Sequence, residues 1–161
     1  MCLLLVATAC TSSAEPSTTT SEGPCTDPPA SELEFDSEFD ISLDPNTVGP
    51  GDGATLSVDL EGQSPGDYIG GAGMSWECWN GDRWVKTHIL VRAFNESAQP
   101  SVIDLSAGED VGVPDIGLTV PNSYEVLIPQ VAPGTYRITD RIFGPDSTLT
   151  AHIAVEVISP E

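Results

Sequence analysis

Apolar and polar residues alternate along most of this chain with a period of two. Leu56, Val58 and Leu60 alternate with Ser57 and Asp59, and Tyr136, Ile138 and Ile142 share one parity. Successive side chains of a strand point to opposite faces, so this period marks half-buried strands. No stretch carries a clean helical stripe. The pattern predicts strands at 39–43, 54–60, 74–80, 83–94, 124–128, 135–143 and 148–158, with one more short strand at 102–105. Turn chemistry separates them. Residues 44–53 are rich in Pro, Gly, Asn and Asp, residues 62–73 hold five glycines, and Asn80-Gly81 and Gly144-Pro145-Asp146 turn hairpins. Many short strands between such signals predict an all-β, antiparallel sandwich of about seven strands. Parity puts Tyr136, Ile138 and Ile142 in its core, and Trp76, in phase with Met74 and Cys78, at its centre. Asp140 shares the inward parity, which calls for a sheet end or a polar partner.

Ahead of the strands the pattern changes. Residues 11–31 are rich in Ser, Thr and Pro and almost free of large apolar groups. Such a stretch cannot bury enough surface to offset its ordering entropy. About 20 flexible residues span roughly 25 Å, so this segment is expected to act as a disordered tether. From Glu32 to Asp40 acids alternate with Leu33, Phe35 and Phe39. This suits a half-buried strand or an ordered end of the tether. Its carboxylates are expected to form a solvated face, since no loop gathers them as metal ligands. The expected divisions are 1–10, a tether over 11–36, and a folded domain over 37–161.

The first ten residues close on Leu3-Leu4-Leu5-Val6-Ala7-Thr8-Ala9-Cys10. This run is shorter than the ~20 residues that span a bilayer. It resembles a bacterial lipoprotein signal, in which Cys10 is lipidated and becomes the new N-terminus. Basic residues expected before the apolar part are missing, so the true start is expected upstream of Met1 or the sequence is truncated. The resemblance implies an exported protein on the cell membrane, moored by acyl chains and facing outside the cytoplasm.

Two further stretches carry a second resemblance. Trp76-Glu77-Cys78-Trp79-Asn80-Gly81-Asp82-Arg83-Trp84 reads as a hairpin after a hydrophobic strand, and Val131-Ala132-Pro133-Gly134-Thr135-Tyr136-Arg137-Ile138 is similar to the start of the penultimate strand of bacterial immunoglobulin-like (Ig-like) domains. Asp52 sits where that family often has a Gly-Asp turn. The resemblance implies an Ig-like sandwich over 37–161, with the Tyr136 hydroxyl folded back onto upstream backbone. Neither the second nor the penultimate strand contains Cys, so the antibody-type disulfide between sheets is absent.

Charge narrows the functions. The chain of 161 residues carries 25 acidic and 5 basic side chains, a net charge of -20. Such a molecule repels phosphate backbones, which argues against nucleic-acid partners. With Cys2 in the signal and Cys10 lipidated, Cys25 and Cys78 are left. They form a disulfide outside the cytoplasm, or Cys78 is a buried thiol and Cys25 is free or intermolecular. No Cys-x-x-Cys pair exists, so redox and zinc chemistry are not indicated. His88 and His152 stand alone in strand-like runs, which suits structural roles. No nucleophile elbow or phosphate loop appears, and 44–55 lacks the oxygens of a calcium loop. Metal ions, cofactors and catalysis are therefore not expected.

All five basic residues (Arg83, Lys86, Arg92, Arg137 and Arg141) fall in three predicted strands that an Ig-like arrangement places in one sheet. Arg137, Arg141 and Trp79 share the outward parity. Trp79, Arg83, Arg137 and Arg141 are the candidate contact surface, for an envelope protein, peptide or glycan. The alternative is that the arginines pair with the surplus carboxylates. The expected function is a non-catalytic, lipid-anchored envelope protein whose sandwich is an interaction module. The other reading is a passive spacer or surface component without a dedicated ligand. An exposed Trp79 beside unpaired arginines separates the first from the second.

Overall fold

The computed structural model describes residues 25–71, 73–93, 99–105, 118–120 and 122–159. In chain order its strands are β1 (Asp40–Asp44), β2 (Thr47–Val48), β3 (Gly53–Asp59), β4 (Ile69–Gly70), β5 (Gly73–Trp79), β6 (Trp84–Val91), β7 (Ser101–Asp104), β8 (Leu118–Thr119), β9 (Ser123–Leu127), β10 (Gly134–Phe143) and β11 (Thr148–Val157). They form an all-β sandwich. The smaller sheet has the order β1-β3-β9. The larger has the order β2-β11-β10-β5-β6-β7, with β4 paired to β10 and to β8. Pairing is antiparallel throughout except between β2 and β11, which run parallel.

Seven of the predicted segments form strands close to their expected places, and an eighth appears as β7. The count exceeds seven because residues read as turns also pair. Thr47 and Val48 lie beside Glu156 and Val157, and Ile69 and Gly70 beside Phe143 and Ile142. Hairpin geometry follows local chemistry. Asn80 Oδ1 accepts from the amides of Asp82 (3.1 Å) and Arg83 (2.9 Å), and Gly81 takes φ 95°, where a Cβ would be strained.

The core lies between the sheets, as the alternation requires. Leu56, Val58, Tyr124 and Val126 face Met74, Trp76, Ile138, Ile142 and Val155, all buried. Fully burying each such aliphatic side chain stabilises the fold by roughly 1.5–3 kcal/mol. Trp76 is fully buried and stacks on Tyr136, with ring centroids 5.0 Å apart. The Tyr136 hydroxyl donates to the Ala132 carbonyl at 2.8 Å and ties the start of β10 to the preceding loop. Tyr136→Phe keeps the stacked ring and removes only this bond. It is expected to cost about 1 kcal/mol, read from the midpoint of urea unfolding.

Residues 25–36, expected to belong to the tether, lie against the sandwich instead. Cys25 is joined to Cys78 by a disulfide with Cα atoms 5.5 Å apart. The Thr26 amide donates to the Trp79 carbonyl at 2.7 Å. A single 3-10 turn, Ala30–Leu33, follows, and Phe35 then reaches the outer face of the larger sheet. Ser37 and Glu38 run along β11. The Glu38 amide donates to the Thr150 carbonyl (2.9 Å), and Ser37 Oγ accepts from the His152 amide (2.9 Å). Phe39 then enters the core. Residues 37–38 and β2 together cover the outer edge of β11, which would otherwise offer unpaired backbone groups to another chain. Cys10 and the rest of 1–24 lie outside the described residues.

Candidate functional site

The outer face of the larger sheet holds the densest polar and aromatic cluster of the described residues. Strand parity builds it. Glu77 and Trp79 of β5, Trp84 and Lys86 of β6, Arg137, Thr139 and Arg141 of β10 and His152 of β11 all point outward, and a register shift at Trp76/Glu77 keeps β6 in phase. Arg137 lies opposite Glu77 in register. Its guanidinium donates to Glu77 Oε2 through Nε (2.6 Å) and Nη2 (2.5 Å). It also lies 4.7 Å from the Trp84 ring and 5.6 Å from the Phe35 ring, and is held between them. Phe35 meets Trp84 edge-on at 6.0 Å and His152 at 5.8 Å, and Trp84 meets Trp79 edge-on at 5.7 Å.

Two of the four residues of the candidate contact surface are covered or paired. Trp79 has the outward parity, but Thr26 pairs with its backbone, the Trp84 ring packs on it, and it is only 8% exposed. Arg137 is spent on Glu77 and two rings. Arg83 and Arg141 are exposed, but they lie towards opposite ends of the face, Arg83 at the β5–β6 hairpin and Arg141 towards the far end of β10. A strap made of the chain's own residues 25–38 fills the space between. Sequence reasoning missed Phe35 and Glu77 as members of this cluster. The signal for Phe35 was its place in the period-two run from Glu32 to Asp40.

The cluster contains a hydroxyl, an imidazole and a carboxylate. Thr139 Oγ1 lies 3.1 Å from Glu77 Oε2 and 2.8 Å from His152 Nδ1. Nucleophile activation needs the imidazole between hydroxyl and carboxylate. Here the hydroxyl is in the middle, so its one proton goes to Glu77 and it accepts from His152. Burial, and next the Arg137 charge, hold the His152 imidazole below its ordinary pKa, with Glu77 working the other way. Burial also lowers His88, against a pull from Asp104, whose carboxylate is 3.9 Å away. Both rings are therefore biased towards their neutral forms and serve as packing and hydrogen-bonding groups.

A second polar group sits inside the sandwich. Arg92, expected to lie in a strand, follows the end of β6 and turns inward, where it forms an ion pair with Asp140. Asp140 is fully buried and Arg92 is 4% exposed. The Tyr124 hydroxyl donates to Asp140 Oδ2 at 3.1 Å, and the Arg92 guanidinium lies 4.6 Å from the Tyr124 ring centroid. A Cβ on Gly70 would collide with the guanidinium, so glycine makes room for it. Asp140 thus has the polar partner its parity demanded. Burial, and then the Asp140 charge, push the Tyr124 hydroxyl far above its ordinary pKa, which keeps it a donor.

The remaining chemistry is structural. Asp52 accepts from the Gly49 amide at 2.8 Å and closes a tight turn. Among the described residues, no three His, Cys, Asp or Glu side chains are placed to hold a metal ion. No helix of the described residues is long and apolar enough to cross a membrane. No family model matches the chain, and no curated protein matches it.

Proposed function

We propose an exported, lipid-anchored protein of the cell envelope, without catalytic activity, whose Ig-like sandwich is an interaction module held outside the cytoplasm. One observation carries the module reading. On a chain of net charge -20, three of the five basic residues (Lys86, Arg137 and Arg141) point outward from the same sheet face as Trp79 and Trp84. The anchor rests on the run ending at Cys10. The passive-spacer reading is favoured by a separate observation, the burial of Trp79 and the pairing of Arg137 with Glu77.

Two measurements on cells test this. Cys10→Ala should move the protein from the membrane fraction to the soluble one, and mass measurement of the native N-terminus should find acylated Cys10. An unmodified Met1 on the exported protein defeats the anchor. A photo-crosslinker at Arg83, which is exposed, should give discrete adducts in intact cells. Their absence, with crosslinkers at Arg141 also silent, supports the spacer.

A further inference from the structure

We infer that the outer face of the larger sheet is a docking site for an acidic, extended segment with an aromatic anchor, occupied here in cis by residues 25–38, and that the same segment of a second copy takes its place when the Cys25–Cys78 disulfide opens. This deepens the interaction-module reading, and rests on it, by naming the partner.

The occupant is seen in place. Between Cys25 and Glu38 the strap carries Asp27, Glu32, Glu34, Asp36 and Glu38 and no basic residue. The face beneath holds Arg137, with Lys86 and Arg83 exposed at its side. Arg137 is paired with Glu77, and among the described residues no strap carboxylate lies within ion-pair distance of these bases, so charge favours this pairing only at longer range. Phe35 is the anchor, packed against Trp84, His152 and Arg137. A second copy has the same segment and can make the same contacts.

Between Asp27 and Phe35 the hold in cis is thin, whereas Ser37 and Glu38 are hydrogen-bonded to β11. The 3-10 turn at Ala30–Leu33 buries nothing, and Leu33 is exposed. Trp84 Nε1 is buried under the strap with no hydrogen-bond partner. Cys25 is exposed while Cys78 is buried, so an incoming thiol meets the Cys25 sulfur first. Exchange then balances. A small thiolate attacks Cys25 Sγ, the S–S bond breaks, and Cys78 leaves as thiolate with the small thiol bonded to Cys25. The Cys78 thiolate of one copy attacks the Cys25 mixed disulfide of another, forming an intermolecular Cys25–Cys78 bond and releasing the small thiolate. No net oxidation or reduction occurs.

The test uses the full chain with Cys2→Ser and Cys10→Ser, so that only Cys25 and Cys78 react. Its Cys25→Ser form is mixed with a synthetic peptide of residues 25–38, activated at Cys25 as the glutathione mixed disulfide. The expected result is an adduct at Cys78 that forms about tenfold faster than with the Phe35→Ala peptide, the effect of a lost aromatic anchor. Equal rates, or no adduct at Cys78, overturn the docking site. The Cys25-intact form, mixed from isotopically light and heavy preparations in a glutathione buffer, should yield Cys25–Cys78 crosslinks that join light to heavy. Crosslinks confined to one label overturn the second copy as occupant. Discrete adducts at Arg83 in cells together with that result would leave the interaction module standing with a different partner.

Discussion

Asp140→Ala is expected to lower folding stability by about 3–5 kcal/mol, the cost of leaving a buried charge without its partner. Urea unfolding read by tryptophan fluorescence measures it. Asp140 is fully buried, accepts from Tyr124 and is paired with Arg92, which is itself shielded from water. Removing the carboxylate strands a guanidinium between two sheets, over a tyrosine ring, with no solvent to replace the lost bond. The pair as a whole contributes less than this figure suggests, because desolvating both ions offsets most of their attraction. Replacing both, as Arg92→Met with Asp140→Leu, should therefore recover most of the loss. A single variant within about 0.5 kcal/mol of the parent, the range of ordinary surface substitutions, would mean that the pair is not closed off from water.

Opening the Cys25–Cys78 disulfide comes second in size. The two cysteines are 53 residues apart, and the loop they close runs from the strap through β1 to β5. Closing a loop of that length removes chain entropy from the unfolded state worth about 4 kcal/mol at most, with 2–4 kcal/mol typical. Cys25→Ser should lose that amount in denaturant unfolding while far-ultraviolet dichroism stays that of a β protein. The sandwich should survive because its core and ladders involve neither Cys25 nor the strap before Phe39. The accompanying signature is greater quenching of tryptophan fluorescence, as Trp79 and Trp84 lose cover. A variant that unfolds outright at room temperature would make the disulfide a staple of the whole domain rather than a clasp on its face.

The strands were legible because their signals are local. Alternation along β3 and β10, and the turn residues Asn80-Gly81 and Gly144-Pro145-Asp146, act over a few residues each. The inward parity of Trp76 and Tyr136 was legible for the same reason, since a strand's pleat repeats every second residue. The short strands β2 and β4 were not. Each has two residues and no alternation to read, and pairs only because β11 and β10 present open edges beside them. Outward parity was right for Trp79 and Arg137 and misleading about exposure. Parity says which face a side chain occupies and nothing about what covers that face.

By itself the sequence determined an all-β sandwich, its main strands, its central tryptophan and its surplus of acid, because these follow from periodicity, turn chemistry and composition. Only the tertiary structure decided that Arg92 meets Asp140 across 48 residues, that Cys25 joins Cys78, and that Phe35 closes over Arg137. The reason is physical. Local pattern sets the conformation of each segment, whereas partners far apart in the chain are chosen by the packing of the finished sheets, and the acidic strap settles on a face where Arg137, Trp84 and Trp79 come together.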